Sequence, residues 1–179
     1  MTFMTLQPNN SVGIAEPPVT FDWSLAFEHR VAQLALAYWK SRCAGRSMPQ
    51  RSDLTPGGMS EFLANVALIE SLRVGQTKRQ YRVRLAGTRV EQIFGPIGGK
   101  SISEVLTEEI EARWRSYFDA VCDAVRPLRI CGRVAFENKI WLESEALIAP
   151  LGQAGEPVTM LFAALAAWPA ESVSKASKD

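Results

Sequence analysis

Cysteine is scarce and histidine almost absent: the 179 residues hold three cysteines, Cys43, Cys122 and Cys131, and one histidine, His29. The cysteines lack CxxC spacing and their odd number leaves a thiol over, which argues against a disulfide framework or a zinc site. A reduced, cytoplasmic setting suits that usage. His29 has no second histidine or carboxylate pair near it in sequence, so neither a metal centre nor an acid/base pair can be built on it. No apolar run approaches the ~20 residues of a membrane span, and the N-terminus has no basic region leading into an apolar core, so neither a span nor a secretory leader is expected. Charge of one sign is not in excess either. With 20 basic and 19 acidic residues the net charge is +1, which gives no bulk field for nucleic acid or a membrane surface.

What is present is an ordinary globular composition, 47% hydrophobic and 22% charged, at a length that suits one domain. Residues 1–21, rich in Pro, Asn, Thr and Ser, are expected to be a disordered tail, and the polar stretch 169–179 a flexible one. Between them, 22–168 is expected to form the domain, opening with a helix over 22–42 capped by Asp22 or Ser24. That helix carries two apolar stripes, one of Phe27, Val31, Leu34 and Tyr38, the other of Leu25, Ala32, Leu36 and Trp39. A surface helix needs one. The second must be covered by a deep seat in the same domain or by a second subunit, which makes Leu25, Ala32, Leu36 and Trp39 a candidate homodimer interface.

The stretch Arg79–Leu106 organises the rest. Tyr81, Val83 and Leu85 alternate with Arg82 and Arg84, the period of a half-buried strand. After Gly87, Thr88 and Glu91 have capping-box spacing before a helix from Arg89 to Phe94 that Gly95 and Pro96 close; Ser101 and Glu104 repeat the pattern before a second short helix. The segment Gly95-Pro-Ile-Gly-Gly-Lys-Ser resembles a phosphate loop but has three residues, not four, before its Gly-Lys pair, and it follows a helix. It reads as a turn. Upstream, 43–55 is a charged turn, Thr55-Pro56 opens a short helix to about Leu63, and Val66–Leu72 is a strand joined to the central one as a hairpin. Downstream come a long amphipathic helix, Glu108–Arg126, and three strands at about 128–136, 141–150 and 157–167, linked by turns short enough for an antiparallel meander. The last strand is apolar on both faces, so it is central, with the short and long helices on one face and the N-terminal helix on the other.

This order, two strands, short helices, one long helix and a three-stranded meander, resembles the PAS domain, in particular its small bacterial stand-alone subfamily. The matching pieces are Tyr38-Trp39, Gly45-Arg46-Ser47-Met48-Pro49 with Arg51, Asp53 and Pro56, the run Tyr81 to Thr88, Phe94-Gly95, and Glu145 to Leu151. The resemblance implies an α+β fold with a five-stranded antiparallel sheet. It also implies a sensory or interaction module, often dimeric through its N-terminal helix, with a small-ligand cavity between sheet and helices. PAS relatives that bind heme usually present a histidine from the long helix, and the flavin photoreceptors carry an Asn-Cys-Arg segment. This sequence has neither, so no cofactor is expected, and the signal would leave by contact with a signalling protein partner.

The candidate pocket comprises Tyr81, Val83, Leu85, Phe94, Trp114, Phe118, Val121, Met160 and Phe162, an apolar set suited to a small apolar ligand. Arg46, Arg51, Asp53, Arg84 and Thr88 form a candidate polar anchor, with an Asp53–Arg84 pair expected to tie the charged loop to the sheet. Glu143 and Glu145 share a strand face and read as a solvated edge. The competing reading is a small α+β enzyme of isomerase or hydrolase type, with a cone-shaped pocket and Asp53 or Glu145 as base. It requires a polarised pair in the pocket, and the sequence places none there, which favours the module.

Overall fold

Among the described residues, six antiparallel strands form one sheet in the order β1-β4-β5-β6-β2-β3. They are β1 (Thr20–Asp22), β2 (Val66–Val74), β3 (Lys78–Ala86), β4 (Leu128–Arg133), β5 (Leu142–Leu151) and β6 (Met160–Pro169). The computed structural model describes residues 19–75, 78–134, 136, 139 and 141–170, so the tails expected at either end lie largely outside the described residues. The meander expected from three consecutive strands is β4-β5-β6, and β6 sits between β5 and β2 as its two apolar faces require. Helices α2 (Thr88–Phe94), α3 (Ile102–Val105) and α4 (Glu108–Ala124) cover one face, while α1 (Arg30–Cys43) packs on β5 and β6 from the other. No helix among the described residues is long and apolar enough to cross a membrane.

Two expectations at the N-terminus are corrected. The sheet has six strands instead of five because Thr20–Asp22, which begins at the end of the stretch read as tail, pairs with β4 from Thr20↔Cys131 to Asp22↔Arg129. The first helix begins at Arg30 instead of residue 22. Asp22 does not cap it, since its Oδ1 accepts from the amide and hydroxyl of Ser24, and Leu25 follows with a positive φ of 58° that no helix accommodates. His29 is the cap, its Nδ1 accepting from the Val31 amide at 3.2 Å.

The helix's second stripe is largely spent inside the domain. Ala32 and Trp39 are buried, and the Trp39 indole donates to the Pro150 carbonyl at 3.0 Å, so these two residues cannot belong to a dimer interface. Leu25 and Leu36 remain half-buried beside an open groove with Phe27 and Lys40.

The central strand enters α2 through Gly87, which is the N-cap in place of the expected Thr88; Thr88 is the first helical residue. A Cβ on Gly87 would lie 2.4 Å from the Ala64 carbonyl oxygen and 2.5 Å from that of Leu63, both backbone atoms that cannot step aside. Its amide donates to the Val66 carbonyl at 2.7 Å, so the close approach is built into the sheet. Gly87→Ala should therefore lower stability by about 1 to 3 kcal/mol by overpacking. An unchanged urea midpoint would show that the strand end can move. The second capping box forms as expected, Ser101 accepting from the Ser103 amide and Glu104 from the Ser101 amide. The phosphate-loop lookalike lies along the free edge of β3, with the Val83 amide donating to Lys100 O and the Gly99 amide to Val83 O.

Candidate functional site

Between the sheet and α2–α4 lies an apolar cavity of about 80 Å³. Its floor is strand side chains of one parity, Ala67 and Ile69 from β2, Val83 from β3, Ala146 and Ile148 from β5, Ala163 and Leu165 from β6. Its roof is Val90 and Phe94 from α2, Ile102 and Val105 from α3, and Trp114 and Phe118 from α4. The roof is aromatic and tightly interlocked: Phe118 meets Trp114 at 5.7 Å between ring centroids and Tyr81 at 5.0 Å, while Phe94 meets Trp114 edge-on at 6.5 Å. Asn65 is the one polar amide among the lining residues.

Four of the nine pocket residues named from sequence, Val83, Phe94, Trp114 and Phe118, line this cavity. Five do not. Leu85 is 43% exposed, because β3 bulges: Ile69 pairs with Val83 but Leu68 with Leu85, so Arg84 is the extra residue and the alternation shifts after it. Met160 and Phe162 have the opposite parity on β6 to Ala163 and Leu165, so they belong to the α1 side of the sheet. Tyr81 is fully buried behind Phe118 and donates its hydroxyl to Asp119 Oδ1 at 2.6 Å; burial, reinforced by that hydrogen bond, pushes its phenol well above the usual range. Val121 is buried in the core outside the cavity wall. Beside them Cys122 has its thiol pushed up by burial, which removes the thiolate that reactivity would need.

The expected polar anchor divides. Arg46 and Asp53 do pair, at 2.7 Å, and Asp53 Oδ2 also accepts the Gln50 amide at 2.7 Å. That amide, then Arg46, holds the Asp53 carboxyl below its usual range. Arg51 closes the turn by donating to Leu54 O. The Asp53–Arg84 pair does not form. Arg84 stands on the bulge with its side chain 66% exposed and its nearest acid, Glu70, 3.8 Å away, and Thr88 is exposed at the start of α2.

Sequence reasoning missed the strongest polar feature. Glu145, read as part of a solvated edge, is 1% exposed on the α1 side of β5. Its carboxylate accepts Arg129 Nε–H at 2.7 Å and the amides of Glu28 and His29 at 3.1 and 2.8 Å, and Arg129 reaches on to Asp22 at 3.0 Å. Burial works against the charge on Arg129, but its hydrogen bonds to Glu145 and Asp22 outweigh that and hold the guanidinium above its ordinary pKa. Neither Glu145 nor Asp53, the bases an enzyme would use, lines the cavity.

A sheet with α1 on one face and a run of short helices plus one long helix over a cavity on the other is the architecture that the sequence resemblance implied. A family model described as PAS domain matches residues 27–166, most of the chain. The chain belongs to the PAS domain family. Among curated proteins none matches it. PAS domains are in general sensory or regulatory modules, not enzymes, and many mediate protein–protein contact. The family match spans α1, β2 and β3, the cavity walls on α2 to α4, and the meander as far as residue 166 within β6, so the cavity lies inside the matched stretch.

Proposed function

We propose that this PAS domain is a sensory module whose input is a small apolar ligand in the cavity beneath α2–α4 and whose output is contact with another protein, a second copy of itself included. The observation that carries the reading is the cavity itself. A void of about 80 Å³ walled by Ile69, Val83, Phe94, Trp114 and Phe118 is roughly half the ~150 Å³ of an engineered apolar cavity that stays dry and takes up benzene or xenon. Protein interiors rarely leave such space unfilled, because each wall atom without a partner forfeits dispersion energy.

Thermal-shift measurements with small apolar compounds test this. A compound present at about 100 times its Kd should add ~2.7 kcal/mol of stability, a rise of roughly 5 to 10 °C for a chain of this size. Ala163→Leu, which puts a larger side chain into the cavity floor, should remove the shift. If no compound moves the wild-type melting temperature, the ligand reading falls.

The output surface is best supported at Leu25 and Leu36, the apolar residues of the second stripe that the domain leaves half-covered beside the groove along α1. Leu36→Glu should convert a dimer to monomers in light scattering. A wild type that is monomeric at micromolar concentration would overturn that surface. The free thiols of Cys43, Cys122 and Cys131 support a cytoplasmic home, which fractionation of cells checks.

A further inference from the structure

The apolar cavity has a polar neighbour. On the other side of α2 lies a chamber of about 220 Å³ lined by Asn65, Arg89, Gln92, Lys139, Trp141 and Leu165 among others, and Asn65 and Leu165 line the inner cavity as well. Helix α2 divides the two by its spacing. Val90 and Phe94, four apart, face inward, while Arg89, Gln92 and Ile93 share the outward face.

Three features of the outer chamber point to an anion with an apolar end. Arg89 makes no ion pair among the described residues, although the chain ties up Arg46, Arg79, Arg82 and Arg129 in such pairs. A guanidinium with open donors next to a glutamine amide is suited to the planar, two-oxygen geometry of a carboxylate. Lys139 adds positive charge there, its ammonium donating to Ile93 O. Trp141, 56% exposed, sets a large aromatic ring at the rim, where an amphiphile can lie against it. At the threshold, Asn65 is only 8% exposed; its Nδ2 donates to Leu165 O at 2.8 Å, while its Oδ1 accepts no hydrogen bond among the described residues.

We propose that the two chambers form one site for a small amphiphilic carboxylic acid, with its carboxylate held by Arg89 and Gln92 in the outer chamber and its short apolar tail turned past Asn65 into the inner one. The proposal rests on the reading of the inner cavity as a ligand site and adds the chemical class of the ligand. The inner volume, about 80 Å³, limits the tail to a few carbons or a small branched group.

The test is calorimetric titration of the whole chain with acetate, butanoate, hexanoate and 1-hexanol, in wild type and in Arg89→Gln. Arg89 is exposed and is bound to no other side chain among the described residues, so the variant should keep the wild-type circular dichroism. Hexanoate should bind, with affinity rising about fourfold per methylene from acetate until the inner chamber is full. Arg89→Gln should weaken hexanoate about tenfold and leave 1-hexanol unchanged. If 1-hexanol binds as tightly as hexanoate and Arg89→Gln alters neither, the acid-binding site is overturned while the apolar ligand reading stands. If no tailed compound binds wild type at all, both fall together.

Discussion

Glu145→Ala is expected to destabilise the protein by about 3 to 5 kcal/mol, the largest polar effect available in the chain. The carboxylate is the only acceptor within hydrogen-bonding distance that the described residues give to the Glu28 and His29 amides, and it sits at the point where the loop 23–29 turns onto the sheet to start α1. Removing it leaves two amides without partners and Arg129, whose side chain is only 14% exposed, with Asp22 at 3.0 Å and the exposed Glu28 at 3.7 Å as its remaining carboxylates. Each group was desolvated on folding and would lose the contact that compensates for it. Glu145→Gln keeps an acceptor but not the charge and should cost less. Urea midpoints of the two variants measure this, and equal midpoints for alanine and wild type would show that the network carries no stability. Asp22 adds a pH signature. The Ser24 hydroxyl above all, and then Arg129, hold its folded pKa below the unfolded value, so its contribution is present above the usual carboxylate range near pH 4 and is lost as pH falls through the folded value. Asp22→Asn should flatten the acid limb of the stability curve.

The same network shows why part of the site was legible in the sequence and part was not. Period-two alternation gave the strands, capping spacing gave α3, and the two-faced apolar run of β6 placed it at the centre with helices on both sides; each is a local pattern that its own segment must satisfy. Four cavity residues followed because Val83 precedes any irregularity and because Phe94, Trp114 and Phe118 lie on helix faces that period 3.6 defines. Leu85 did not follow. The bulge at Arg84 is set by pairing with β2, upstream between Leu68 and Ile69, and no residue near Arg84 announces it. Glu145 was misread for a related reason. Alternation assigns a residue to a face, but whether that face is wet depends on what covers it, and here the cover is a loop more than a hundred residues away. Strand β1 is three residues long in a proline- and threonine-rich stretch and exists only because β4 offers it an edge.

The second large effect is expected at Phe118, and it bears on function. Phe118 is 3% exposed, roofs the apolar cavity and touches both Tyr81 and Trp114, so Phe118→Ala loses the transfer free energy of a buried ring and two aromatic contacts and merges the vacated space with the void already there. Truncations of this kind cost about 3 to 5 kcal/mol, and the cost grows with the cavity that remains. A closed core that collapses around the deletion would stay near the lower figure and show no response to apolar compounds. A site built to hold a ligand should behave differently. The enlarged cavity should accept benzene or a similar ring, and that occupant should return part of the lost stability, because it restores dispersion contacts to walls that cannot move together. The expected result is therefore a deep fall in melting temperature that benzene partly reverses in Phe118→Ala and that Ala163→Leu, added to it, makes irreversible. Should benzene leave the melting temperature of Phe118→Ala unchanged, the space under α2–α4 is ordinary core, and the module acts through its protein contacts alone.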